Sequence, residues 1–85
     1  MMLNAAILPL LRCPLSRQPL TLAPLAELKI LNEAISAGEV RNTAGRPVTE
    51  RADELLVAAD RSRAYVVRDG IPILFPEEAV PAPKV

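Results

Sequence analysis

Ala64-Tyr65-Val66-Val67-Arg68-Asp69-Gly70-Ile71-Pro72-Ile73-Leu74-Phe75 is the stretch that decides the fold. Two apolar runs flank an Asp-Gly pair. The first run is rich in β-branched and aromatic side chains, which suit a pleated, half-buried surface. Asp-Gly supplies two residues that tolerate positive φ, as a two-residue hairpin turn demands. The stretch therefore predicts an antiparallel hairpin over residues 64–75. Pro72 has no N–H to give to a ladder, so its strand belongs at an edge. Alternation puts Ile71, Ile73 and Phe75 on one face and Pro72 and Leu74 on the other. The first set is larger and more apolar, so it is expected to face the core, leaving Leu74 outward.

Upstream of the hairpin, residues 54–58 read as a strand and residues 60–62 as a turn. Residues 40–48 carry Asn42, Gly45 and Pro47 and read as a turn-rich connection or loose hairpin. Residues 24–37 give the clearest helix, with proline in the first turn and Gly38 just past the end. Leu25, Leu28, Leu31 and Ile35 form its apolar stripe, with Asn32 at the edge and Lys29, Glu33 and Ser36 on a solvated face. Leu20-Thr21-Leu22 alternates like a short strand. Residues 6–12 read as a short helix that Cys13-Pro14 terminates, because a residue before proline avoids the helical region. Downstream, Glu77 and Glu78 follow Pro76 and suggest one helical turn. The expected fold class is α+β: a small antiparallel sheet with a C-terminal Asp-Gly hairpin, packed by one main helix and a short N-terminal helix. One domain is expected over residues 1–80, with residues 81–85 as a flexible tail.

Composition narrows the function. The chain has 85 residues, 51% of them hydrophobic and 24% charged, a globular balance. Lysine plus arginine and aspartate plus glutamate each number 10, so the formal net charge is zero and direct nucleic-acid binding is not expected. There is no histidine and one cysteine, which excludes an intrachain disulfide and the ordinary four-ligand zinc sites built from cysteine and histidine. Without tryptophan, and with one tyrosine and one phenylalanine, stacking platforms for single strands are nearly absent. Residues 5–11 are apolar, but Pro9 interrupts them, no basic residue precedes them and no small-x-small cleavage site follows. A membrane span needs about 20 apolar residues. The expectation is a cytoplasmic protein without a membrane segment.

Little catalytic equipment remains. Cys13 lacks a histidine to activate it, and buried structural cysteines are common, so it reads as structural. Nothing in the spacing of Asp53, Glu54, Asp60 and Asp69 selects a carboxylate pair. Arg51, Arg61, Arg63 and Arg68 are interleaved with acids and read as a solvated face. No enzymatic activity and no cofactor are expected.

Two stretches together resemble a known family. The first is Leu10-Leu11-Arg12-Cys13-Pro14-Leu15-Ser16 with Gln18-Pro19-Leu20; the second is the hairpin stretch followed by Glu77-Glu78-Ala79. Both resemble the small methyltransferase-activator family, the zinc-ribbon-like subunits that support tRNA, rRNA and release-factor methyltransferases, with many short bacterial members. The likeness runs from about Leu8 to about Val80. Zinc-binding members carry Cys-Pro-x-Cys at the first motif and further ligands before the hairpin. Here Cys13 matches the first ligand, Ser16 stands at the second, Ala58 at the third and Arg61 near the fourth. The resemblance therefore implies a zinc-ribbon-derived fold without zinc. It implies a non-enzymatic accessory protein that binds a methyltransferase subunit through an exposed strand edge and apolar surface. The partner-binding candidates are Arg68, Asp69, Gly70, Ile71, Pro72, Ile73, Leu74 and Phe75. A self-contained homodimer with a structural or regulatory role is the second reading, because the same edge could serve a two-fold interface.

Overall fold

The computed structural model describes residues 11–13 and 17–82. In chain order the elements are β1 (Leu20–Leu22), α1 (Leu25–Ser36), β2 (Glu54–Ala58), β3 (Ala64–Arg68) and β4 (Ile71–Pro72), followed by a 3₁₀ turn at Pro76–Glu78. The strands form one antiparallel sheet in the order β1-β2-β3-β4. The α+β class read from the sequence is the one observed.

The two central strands explain the packing. All five residues of β2 are buried, as are the first four of β3. Strands with no solvent face need cover on both sides. Leu55, Val57, Ala64 and Val66 point to one side and pack with Leu31 and Ile35 of α1, and with Val40, Ala52 and Val80. Leu56, Ala58, Tyr65 and Val67 point to the other side and pack with Cys13, Leu20 and Ala79. The sheet is thus a middle layer between α1 and a second cover contributed by both ends of the described chain.

The helix obeys its sequence signals. Pro24 is extended at its N-cap. At the far end Gly38 takes φ +75°, donates to the Ile35 carbonyl, and lets the Glu39 N–H reach the Ala34 carbonyl. That pair of bonds is the Schellman closure, which favours glycine in the left-handed position. The apolar stripe departs from expectation at its start. Leu31 and Ile35 are buried and Leu28 is half-buried, but Leu25 is 82% exposed. Burial in the first turn goes instead to Glu27, whose carboxylate pairs with the Arg61 guanidinium from the turn between β2 and β3. Most of the short helix expected at residues 6–12 lies outside the described residues. At its end Arg12 forms an antiparallel bridge with Pro19, so an extended pairing stands there. Residues 40–48 close as a loose hairpin through the Arg41–Pro47 bridge and a Val48 N–H to Val40 carbonyl bond of 2.9 Å. Of the expected flexible tail, residues 83–85 lie outside the described residues.

The strand expected over residues 71–75 requires correction. β4 is only Ile71–Pro72, and one further backbone bond, Ile73 N–H to Val66 carbonyl at 3.0 Å, continues the pairing. The assignment of its faces also fails. Ile71 and Phe75 are each 61% exposed, whereas Leu74, expected to face outward, packs half-buried against the Cys13 cluster. Ile73 packs against the α1 side. Alternation sorts core from solvent only when one face of a sheet is wet. Here both faces are covered, so exposure depends on distance from the sheet centre.

Candidate functional site

The hairpin tip is built by its backbone. Asp69 and Gly70 both have positive φ, +53° and +74° respectively, which is the signature of a type I′ turn. The tip is also anchored. The Arg68 guanidinium donates to the Glu50 carbonyl at 2.7 Å and the Arg51 carbonyl at 3.2 Å, and the Asp69 N–H donates to the Asp53 carboxylate at 2.7 Å. Of the eight candidates, Arg68 and Asp69 therefore serve the fold, and Gly70 supplies the turn conformation. Ile71 and Phe75 present apolar surface to solvent.

The outer edge of β4 offers a small set of backbone groups. Val67 gives its carbonyl to Asp53, on the β2 side. Its cross-strand neighbour Pro72 therefore sits at a non-bonded position, with its carbonyl turned away from β3. Two residues on, neither the N–H nor the carbonyl of Leu74 has a hydrogen-bond partner among the described residues. An outward carbonyl at Pro72 and a full donor–acceptor pair at Leu74 can receive an extended chain. Ile71 and Phe75 flank that stretch with apolar surface.

On the sheet face opposite α1, Cys13 is fully buried, and its Sγ lies 3.0 Å from the Tyr65 hydroxyl. Its backbone is tied locally: the Cys13 N–H donates to the Gln18 carbonyl, the Arg17 N–H donates to the Cys13 carbonyl, and Arg17 has φ +60°. Burial, reinforced by Cys13, pushes the Tyr65 hydroxyl up to about 12. Ala58 lies in the same apolar cluster. These residues do not fit a zinc ion. The thiol is engaged with a phenol, Ala58 brings no donor atom, and Arg61 carries a positive charge already paired with Glu27. Ser16 lies outside the described residues. Among the described residues, no group of three or more His, Cys, Asp or Glu side chains is placed to hold a metal.

The acidic candidates do not assemble. Asp60 accepts from the Ser62 N–H at 2.9 Å and the Ser62 hydroxyl at 2.6 Å, and these bonds hold its carboxyl below the ordinary range. Asp53 meets Asp69 only through the latter's backbone. Sequence reading missed the Cys13–Tyr65 contact, which joins residues 52 positions apart. It also missed the Glu27–Arg61 pair and an apolar groove between α1 and residues 51–54. A glutamate on the hydrophobic side of a helix was the one available signal.

Comparison with known proteins then bears on the whole chain. A family model described as Trm112p-like protein matches residues 4–70. A protein from Xylella fastidiosa, solved by solution NMR, has a similar structure with a TM-score of 0.73. It is 37% identical, and the match covers 93% of this chain and 81% of that one. No curated protein matches. The family match ends at Gly70, so Ile71 to Phe75 lie beyond it.

Proposed function

This chain belongs to the Trm112p-like family, a family of accessory methyltransferase activators, and from that premise we propose that it binds and stabilises a methyltransferase through the outer edge of β4. The observation that carries this reading is the juxtaposition at that edge. Ile71 and Phe75, both 61% exposed, flank backbone groups at Pro72 and Leu74 that no described residue engages. Strand addition uses such groups for affinity, while neighbouring apolar side chains supply burial and selectivity. In this reading the protein contributes no catalytic group, the methyl donor belongs to the partner, and no metal is needed. It acts in the cytoplasm without touching nucleic acid. No helix among the described residues is long and apolar enough to cross a membrane.

The test is co-expression with methyltransferases of the tRNA, rRNA and release-factor classes, reading soluble yield and methyl transfer. Ile71→Lys and Phe75→Lys should leave the thermal melt nearly unchanged and weaken the complex by tenfold or more, about 1.4 kcal/mol. A complex that survives both substitutions excludes this edge as the contact. If no methyltransferase of these classes gains solubility or activity, the accessory role itself fails. A stable dimer by light scattering that Ile71→Lys dissolves would assign the edge to a second copy.

A further inference from the structure

We propose that the cleft between the 40–48 hairpin and the β2–β3 turn is a binding site for a phosphate group, free or carried on an ester. Its volume is about 170 Å³. Arg41, Asn42 and Thr43 line it from the hairpin, Ser62 and Arg63 from the turn, together with residues 79–81. Bonds within the fold hold these three segments in place. The Thr43 N–H and hydroxyl both donate to the Ala79 carbonyl, at 2.9 and 3.2 Å. Ala64, next to Arg63, exchanges two backbone bonds with Val80, at 2.7 and 2.9 Å. The cleft therefore exists without an occupant.

Its lining carries charge of one sign. Two arginines line the cleft and no carboxylate does. Neither arginine forms an ion pair among the described residues. Arg41 gives one guanidinium N–H to the Gly45 carbonyl at 3.1 Å. Arg63 is half-buried, and lies close enough to the Tyr65 hydroxyl to oppose the rise that burial and Cys13 impose on it. Two like charges in one small cleft repel each other, and partial burial makes an uncompensated charge costlier. Asp60 adjoins Ser62, but its carboxylate already accepts from the Ser62 N–H, the Ser62 hydroxyl and the Gln18 amide. Glu77 meets the hairpin through its backbone carbonyl, which accepts from the Ala44 N–H at 3.2 Å. An anion held between the arginines removes their repulsion.

The number of guanidinia selects the anion. One guanidinium fork satisfies both oxygens of a carboxylate. Two forks match a group with three terminal oxygens and a charge of about −1.5 to −2, which is a phosphate near neutral pH. Asn42 adds its side-chain NH₂, since its Oδ1 already accepts from the Arg46 N–H at 3.0 Å. The small volume admits the phosphate group itself and leaves the rest of an ester outside.

The test is an amide-shift titration of the full chain with inorganic phosphate, at constant ionic strength, with acetate as the comparator. Phosphate should saturate, with shifts centred on residues 41–43, 62–63 and 79–81, and should bind about tenfold or more tighter than acetate, a difference of about 1.4 kcal/mol. Binding should weaken severalfold near pH 5, where phosphate, with its second pKa of about 6, is mostly a monoanion while arginine keeps its charge. Arg41→Gln and Arg63→Gln should each keep the melt of the parent, since neither side chain is in an ion pair, and should each weaken phosphate by about tenfold. O-phosphoserine is the second arm. Binding at the same residues, as tight as inorganic phosphate, supports an ester as the source; binding of inorganic phosphate alone supports the free ion. The proposal is overturned if phosphate does not saturate, if acetate matches it, if its affinity is the same at pH 5, if both glutamine variants bind as the parent does, or if the shifts centre elsewhere.

Discussion

Tyr65 concentrates the chemistry of the second core. It is fully buried, its hydroxyl meets the Cys13 thiol at 3.0 Å, and it titrates near 12. In the unfolded chain a tyrosine loses its proton near 10. The folded state therefore holds the proton more tightly. The associated stability is fully present below about pH 10 and declines as pH rises from there towards 12. We expect a loss on the order of 2 kcal/mol across that window, at about 1.4 kcal/mol per unit of pKa difference. Tyr65→Phe should flatten this part of the alkaline profile in urea melts, because no phenol remains to ionise. If the mutant keeps the same alkaline decline, other groups cause it. Below pH 9, losing the bond to Cys13 should lower stability by about 1 kcal/mol.

α1 shows how an element is tied to a loop that periodicity does not mark. Its apolar residues reach the sheet through Leu31 and Ile35, while Asn32 makes both hydrogen bonds to the backbone of Ala52. Asn32→Ala removes both, leaving the N–H and carbonyl of a fully buried residue without these partners. The expected destabilisation is about 1–3 kcal/mol. Asn32→Asp retains the acceptor for the Ala52 N–H but loses the donor, and should fall between the two. Chemical denaturation of the three proteins checks the order. An Asn32→Ala melt within experimental error of the parent would show that water replaces both bonds.

For the molecule as a whole, the governing fact is a small sheet buried on both sides. Leu55 and Leu56 are adjacent in β2 and point to opposite faces, yet they are 1% and 0% exposed. A half-wet strand would tolerate truncation at one of two such neighbours. Here Leu55→Ala and Leu56→Ala should each cost about 2–5 kcal/mol, the usual range for emptying a core site. Small domains have stabilities near the top of that range, so either variant should melt far below the parent. Circular dichroism melts decide it, and a mutant with an unchanged midpoint would show its face to be loosely covered.

The elements themselves were legible in the residues. Proline and glycine bracket α1 because each has an intrinsic backbone preference that acts at one position, and the buried runs of β2 and β3 follow from apolar, β-branched content. The two-residue positive-φ turn at Asp69-Gly70 is likewise local chemistry. The α+β class follows from the order of such elements, and the family follows from two short motifs. Tertiary structure alone decided what each side chain faces. Leu74 is covered and Phe75 exposed because the chain around Cys13 lies over the second sheet face, a contact between segments far apart in sequence. Leu25 is exposed and Glu27 buried because the first helical turn meets Arg61 rather than apolar core. Local propensity fixes backbone conformation within a few residues; burial depends on which distant segments arrive, and so do the edge and the groove.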